Sequence, residues 1–200
     1  KGISSAMNIG IKYLLNYETY IWFLHAGDRA IYNFNNRLDS LHEYDLHFFP
    51  VINRFKGQIN EKNIKNTPRN WNKLIQKKPC VNHQGVLTNI RVFNEYGLFS
   101  NKYSSIMDYE WFYRISRKGI NLKSCFHNSE ICSFELGGKS SNILLAAREH
   151  FYLLKQYNYP TITSIIKANY IFIAKLIFLI KNIFVAKVKD FFINRKLLNN

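Results

Sequence analysis

Two hundred residues, 47% hydrophobic and 16% aromatic, can bury one sizeable core and leave room for an appendage. A formal charge of +15 excludes an electrostatically indifferent surface and points to polyanionic partners: nucleic acid, an acidic membrane or a phosphorylated ligand. Three cysteines, Cys80, Cys125 and Cys132, without CxxC spacing, exclude a disulfide framework or a zinc ribbon; they suit a reducing compartment and are expected to be small buried hydrophobes.

The chain opens on Lys1-Gly2-Ile3-Ser4-Ser5, which has no signal-peptide pattern. Ser4 or Ser5 is expected to cap a helix whose apolar members Met7, Ile11, Leu14 and Leu15 recur at helical spacing, ending near Asn16-Tyr17. Tyr20 to Leu24 reads as a buried strand that stops in His25-Ala26-Gly27-Asp28. An acid on a tight turn at the carboxyl edge of a sheet can present a metal or phosphate contact, and a strand that merely ends at a Gly-Asp turn looks the same. Asp28 then opens a second helical stretch through Ala30, Ile31, Phe34 and Leu38, and Leu46 to Phe49 before Pro50 reads as another strand. Alternating helix and strand predicts an α/β fold.

From Asn53 to Lys78 the composition turns to Asn, Lys, Arg and Gln, as expected of a surface excursion, alone or with a short helix. Cys80 to Leu87 regains apolar character and contains His83-Gln84. From Asp108 a helix is predicted with Trp111, Phe112 and Ile115 buried, Arg114, Arg117 and Lys118 facing water, and Gly119 at its end. Phe134 to Asn142 reads as a flexible loop able to hold an anion, without the spacing of a Walker loop, and a helix follows from Ile143 to Tyr157.

Between Thr161 and Asn200, six Lys and one Arg face one Asp, a net of +6, among Ile, Leu, Phe and Val. Lys167, Lys175, Lys181 and Lys189 fall on one side of a helical wheel, with Lys187 the exception, as in a helix lying in an anionic membrane interface. A soluble partner-binding or core helix and a snorkelling span are the alternatives.

In order, these features resemble the family 2 glycosyltransferases of the GT-A fold, in particular bacterial enzymes of surface-polysaccharide synthesis. The resemblance rests on Gly2-Ile3-Ser4-Ser5-Ala6-Met7-Asn8-Ile9-Gly10-Ile11 and Phe23-Leu24-His25-Ala26-Gly27-Asp28. It continues in His83-Gln84, in Phe93-Asn94-Glu95-Tyr96-Gly97-Leu98-Phe99, in Asp108-Tyr109-Glu110 with Arg114, and in Gly137-Gly138-Lys139-Ser140. It covers residues 1–157, a partial GT-A domain, and leaves 158–200 as a basic amphipathic helical segment. His25 stands where the family usually has Asn or Asp. The family's opening strand-loop-helix unit, which supplies much of the nucleotide site, has no counterpart here, so the chain is expected to be either a fragment or a remnant that does not hold its donor alone.

The resemblance implies a mixed sheet with flanking helices and a metal-assisted, inverting transfer of a hexosyl or N-acetylhexosaminyl group. The donor would be a nucleotide-sugar, a UDP-sugar ahead of a GDP- or dTDP-sugar, and the acceptor a lipid-linked glycan or polysaccharide at the cytoplasmic face of the bacterial inner membrane. Asp108 is implied as the catalytic base, and Asp28, with His25, as the Mg²⁺ or Mn²⁺ contact. Asn8, Gly27, Asp28, Lys139 and Ser140 would contact the donor nucleotide, and His83, Gln84 and Glu110 the substrate. Helix caps are the plain alternative for Asp28 and Asp108. The alternative for the whole chain is a non-catalytic, membrane-associated interaction protein, and nucleic acid is not an expected partner because the basic residues are dispersed and form no nucleic-acid module.

Overall fold

A computed structural model describes residues 2–31, 43–55, 63–118, 122–136, 142–174, 176, 177 and 180. Contacts divide the chain into two compact units, Lys1–Ser141 and Asn142–Asn200, a boundary that falls before the helix expected at Ile143 and not after it.

The first unit is α/β with two mixed sheets. Helix α1, Ile3–Leu14, buries Ser4, Met7, Asn8 and Ile11 along one stripe. Gly2, and not Ser4 or Ser5, occupies the cap position; the Gly2 carbonyl closes the first turn by accepting from Ala6 N–H at 3.1 Å, which draws Ser4 into the buried stripe. Strand β1 is Tyr20–Trp22, β3 is Leu46–Phe48, β6 is Val86–Asn89 and β7 is Ser124–Phe126. They form one sheet in the order β1-β6-β3-β7, in which β3 and β7 run parallel and the other neighbours antiparallel.

The second sheet has the order β2-β8-β4-β5, built from β2 (Arg29–Ala30), β4 (Val51–Phe55), β5 (Asn63–Lys65) and β8 (Cys132–Leu136). The helix expected from Asp28 is replaced at its start by β2: Arg29 and Ala30 pair with Ser133 and Cys132, and Ile31 N–H donates to Ile131 O. Phe34 and Leu38 lie outside the described residues. The excursion expected from Asn53 is also partly strand, because the parallel ladder from β4 to β8 runs on from Val51 to Phe55 in spite of the polar Asn53 and Arg54. The short helix expected there is α2, Trp71–Leu74. The chain passes directly from β3 through Phe49-Pro50 into β4, and Phe49, Val51, Leu87, Ile131 and Cys132 pack as one core cluster against Tyr20, Trp22 and Phe134.

Helix α3, Ile90–Tyr96, is capped by Asn89, whose side chain accepts from Arg91 N–H, and ends at Gly97 with φ +83°. Helix α4, Met107–Lys118, buries Trp111, Phe112 and Ile115 as expected and leaves Arg117 and Lys118 exposed. Arg114 does not face water. Its side chain is 16% exposed, and the guanidinium pairs with Glu110 at 2.8 Å and donates to the carbonyls of Tyr96 and Leu98. An amphipathic wheel misses this because the loop after α3 supplies the carbonyls that a buried cation needs.

In the second unit α5, Ile143–Gln156, is capped by Asn142, whose side chain accepts from Leu145 N–H. A further helical segment covers 161–174. Ser164 and Ala168 are buried in it, whereas Ile162, Ile165, Ile166, Tyr170 and Ile173 form an exposed apolar face. Lys175, Lys181, Lys187 and Lys189 lie outside the described residues. Among the described residues, no helix is long and apolar enough to cross a membrane.

Candidate active site

Three segments distant in sequence meet beyond the end of β1. Past Trp22 the chain closes a tight turn: Asp28 N–H donates to His25 O at 2.9 Å, and His25 N–H donates to Asp28 Oδ2 at 2.8 Å. Gly27 takes φ +95° in this turn, and its carbonyl accepts from Arg54 Nη2 of β4 at 3.1 Å. The second segment is a 3-10 turn, His83–Gly85, pinned from three sides. Gln84 O accepts from Trp22 Nε1 at 2.6 Å and from Cys132 Sγ at 3.1 Å, while Gly85 O accepts from Phe49 N–H at 2.8 Å. Gly85 permits that approach, since a Cβ there would lie 2.5 Å from Phe49 O. The third segment is the first turn of α4, where Asp108 Oδ1 accepts from Tyr109 N–H at 2.8 Å.

His83 joins the three. Its Nδ1 lies 3.1 Å from Asp108 Oδ2 and its Nε2 lies 2.8 Å from His25 Nε2, with the two imidazole rings 4.8 Å apart. The His83 side chain is 12% exposed and that of Asp108 31%, so the pair lies at the surface end of the core and is open to solute on the Asp108 side. Desolvation pushes the Asp108 carboxyl up, but the His83 hydrogen bond and charge and the backbone N–H groups outweigh it and hold the group below the ordinary carboxylate value. Burial, then the neighbouring His83, lowers the His25 pKa against the opposing pull of Asp28 and Asp108.

These contacts order the protons. An ionised Asp108 only accepts, so His83 Nδ1 donates to it. Of the facing His83 Nε2 and His25 Nε2 one donates and the other accepts, the roles being set by the ring tautomers. The result is one hydrogen-bonded chain, Asp108–His83–His25, closed onto Asp28 by the backbone of His25.

Other expected site residues stand elsewhere or have other work. Asn8 is buried and spends its amide on Phe99, donating to its carbonyl at 2.8 Å and accepting its N–H at 3.0 Å, which fastens α1 to the loop after α3. Glu110 is 2% exposed and holds Arg114, a structural pair and not a surface presented to substrate. Gln84 contributes its carbonyl to the frame of the turn. Lys139 and Ser140 lie outside the described residues.

For a divalent cation the donor chemistry fits Asp28 better than His25. One Asp28 oxygen accepts the His25 N–H and, among the described residues, the other takes no hydrogen bond, so a hard oxygen donor remains to offer. His25 Nε2 is engaged by His83.

A different set of ligating groups escaped the sequence reading. His47, Cys125 and His127 bring one ligand atom each to within 4.8 Å of one another. The alternation Cys125-Phe126-His127 was the available signal, since on a strand it sets both groups on one face; nothing in the sequence names His47 as their neighbour. Of the three cysteines only Cys132 is fully buried, its thiol pushed up to about 12 by desolvation, whereas Cys80 and Cys125 are partly exposed.

No protein-family model matches the chain, and no curated protein matches it.

Proposed function

We propose that the chain carries the catalytic site of an inverting glycosyltransferase of the GT-A type. One observation carries the reading: His25 and Asp28 of one motif, His83 of a second and Asp108 of a third, all singled out by the family resemblance, converge on one hydrogen-bonded cluster. A helix that was merely capped by Asp108 would not need that acid tied to a histidine from a separate segment.

In this reading Asp108 accepts the proton of the acceptor hydroxyl as that oxygen bonds to the anomeric carbon and the bond from that carbon to the nucleotide diphosphate breaks. Its depressed pKa keeps it ionised at neutral pH, and His83 fixes the direction of its carboxylate. Asp28 would hold a Mg²⁺ or Mn²⁺ ion, which supplies positive charge for the departing diphosphate. Tight closure of the 25–28 turn, and the Asp28 oxygen that takes no hydrogen bond among the described residues, support that role.

The acceptor would be lipid-linked or polymeric, reached at an anionic membrane surface. The exposed apolar face of segment 161–174, in a chain of net charge +15, supports peripheral association. Calorimetric titration with UDP and GDP in Mn²⁺, beside Asp28→Ala, tests the reading. Binding lost in Asp28→Ala is expected; equal binding by both proteins, or none by either, counts against it.

A further inference from the structure

On the sheet β1-β6-β3-β7, the parallel register sets His47 of β3 opposite Cys125 of β7. His127 follows two residues on and extends the same ladder by donating its N–H to Phe48 O at 2.8 Å. In-register neighbours and residues two apart share a face, so all three side chains leave one side of the sheet. His47 Nδ1 and His127 Nε2 are 2.9 Å apart, and Cys125 Sγ completes a set whose atoms all lie within 4.8 Å.

The supporting shell is aromatic. His47 is fully buried with Tyr20 and Tyr44 edge-on to its ring at 5.4 Å and 5.6 Å. The His127 ring stacks on Phe49 at 3.9 Å, with the two planes 2° apart. His127 also lines a cavity of about 180 Å³ beside Asn66, Thr67 and Arg69, so one side of the cluster is reachable from solvent.

We propose that His47, Cys125 and His127 bind a zinc ion, with water in the fourth position. Two imidazoles and a thiolate suit Zn²⁺ and not Mg²⁺, Ca²⁺ or Mn²⁺, which take oxygen ligands. Tetrahedral Zn–N bonds of about 2.0–2.1 Å put two ligating nitrogens about 3.3 Å apart. The 2.9 Å pair has to open by a few tenths of an ångström, and the widest separation in the set, up to 4.8 Å, has to close to about 3.6 Å, so binding requires small side-chain rotations. Binding breaks the Cys125 S–H bond and releases its proton to solvent, and the ring that donates in the His47–His127 contact moves its proton to its other nitrogen. The site is independent of the glycosyl-transfer reading and shares no residue with it.

Titration of the folded, chelator-treated chain with Co²⁺ as probe tests this. The expected result is one Co²⁺ per chain, with tetrahedral d–d absorption and a thiolate-to-cobalt charge-transfer band, both displaced by Zn²⁺. Cys125→Ser should abolish the charge-transfer band and weaken Zn²⁺ more than about 100-fold, the upper end of what loss of a mere supporting residue costs. Cys80→Ser should change neither. Should Cys125→Ser fail to fold, alkylation of the unaltered chain mapped by mass spectrometry decides: Zn²⁺ should protect Cys125 and leave Cys80 reactive. Absence of Co²⁺ binding, a charge-transfer band that persists in Cys125→Ser, or no protection of Cys125 overturns the assignment.

Discussion

At the scale of single residues, the Asp108–His83–His25 chain ties an acid to two imidazoles, and its behaviour follows from which of them carry charge. Replacement of Asp108 by Asn keeps the shape and removes the base, so transfer from a nucleotide-sugar is expected to fall about 10²–10⁴-fold while nucleotide binding persists, as read by transfer kinetics and calorimetry on the same sample. Acid should loosen the fold in two stages. His25 has a folded pKa below the ordinary 6.5, so the unfolded chain binds its proton more readily. The stability from keeping it neutral is full above about pH 6.5 and declines as pH falls towards the lower folded value. Asp108 is depressed from 3.8, so its contribution is present above that value and is lost at still lower pH. Thermal melts from pH 7.5 to pH 3 should therefore descend twice, and His25→Asn should flatten the upper descent only. The sequence singles out His25, His83 and Asp108 one by one. That His83 bridges the other two depends on partners 58 positions away on one side and 25 on the other, a distance over which no periodicity speaks.

Elements owe their positions to a few close approaches. Gly85 lets β6 and the 3-10 turn come against Phe49, and a methyl group there meets a carbonyl oxygen at 2.5 Å and Val51 Cγ1 at 2.7 Å. Gly85→Ala is expected to cost about 1–3 kcal/mol in urea denaturation, the usual penalty of overpacking, and to shift His83 away from Asp108. The Glu110–Arg114 pair locks α4 to the loop after α3. Glu110→Gln leaves a largely buried guanidinium without its carboxylate and should cost about 3 kcal/mol in the same assay. Both effects are invisible to helix and strand propensity. The sequence predicts α1, α4 and α5 well because each carries an apolar stripe, but it draws a helix at Arg29–Ala30, where the ladder with β8 prevails.

For the whole molecule, the excess of basic residues and the exposed face of Ile162, Ile166 and Ile173 argue for a common consequence. The chain should cosediment with vesicles containing anionic lipid, release as salt is raised, and lose part of its binding in Ile162→Asp/Ile166→Asp. Equal binding to neutral vesicles would count against charge as the driver. The His47–Cys125–His127 group also belongs to this scale, because it exists only once β3 and β7 lie side by side.

The α/β class, a strand beginning at Tyr20 ahead of the His25–Asp28 turn and the helix beginning near Asp108 were determined by the sequence, since apolar periodicity and turn chemistry act over a few residues, although the strand stops at Trp22 and leaves Leu24 exposed where a buried strand to Leu24 was expected. Which side chains meet was decided by the tertiary structure alone. Strand order brings His47 to Cys125, a glycine brings His83 to Asp108, and a loop after α3 buries Arg114. Pairings of that kind are set by sheet register and packing across the core, which depend on all the segments at once.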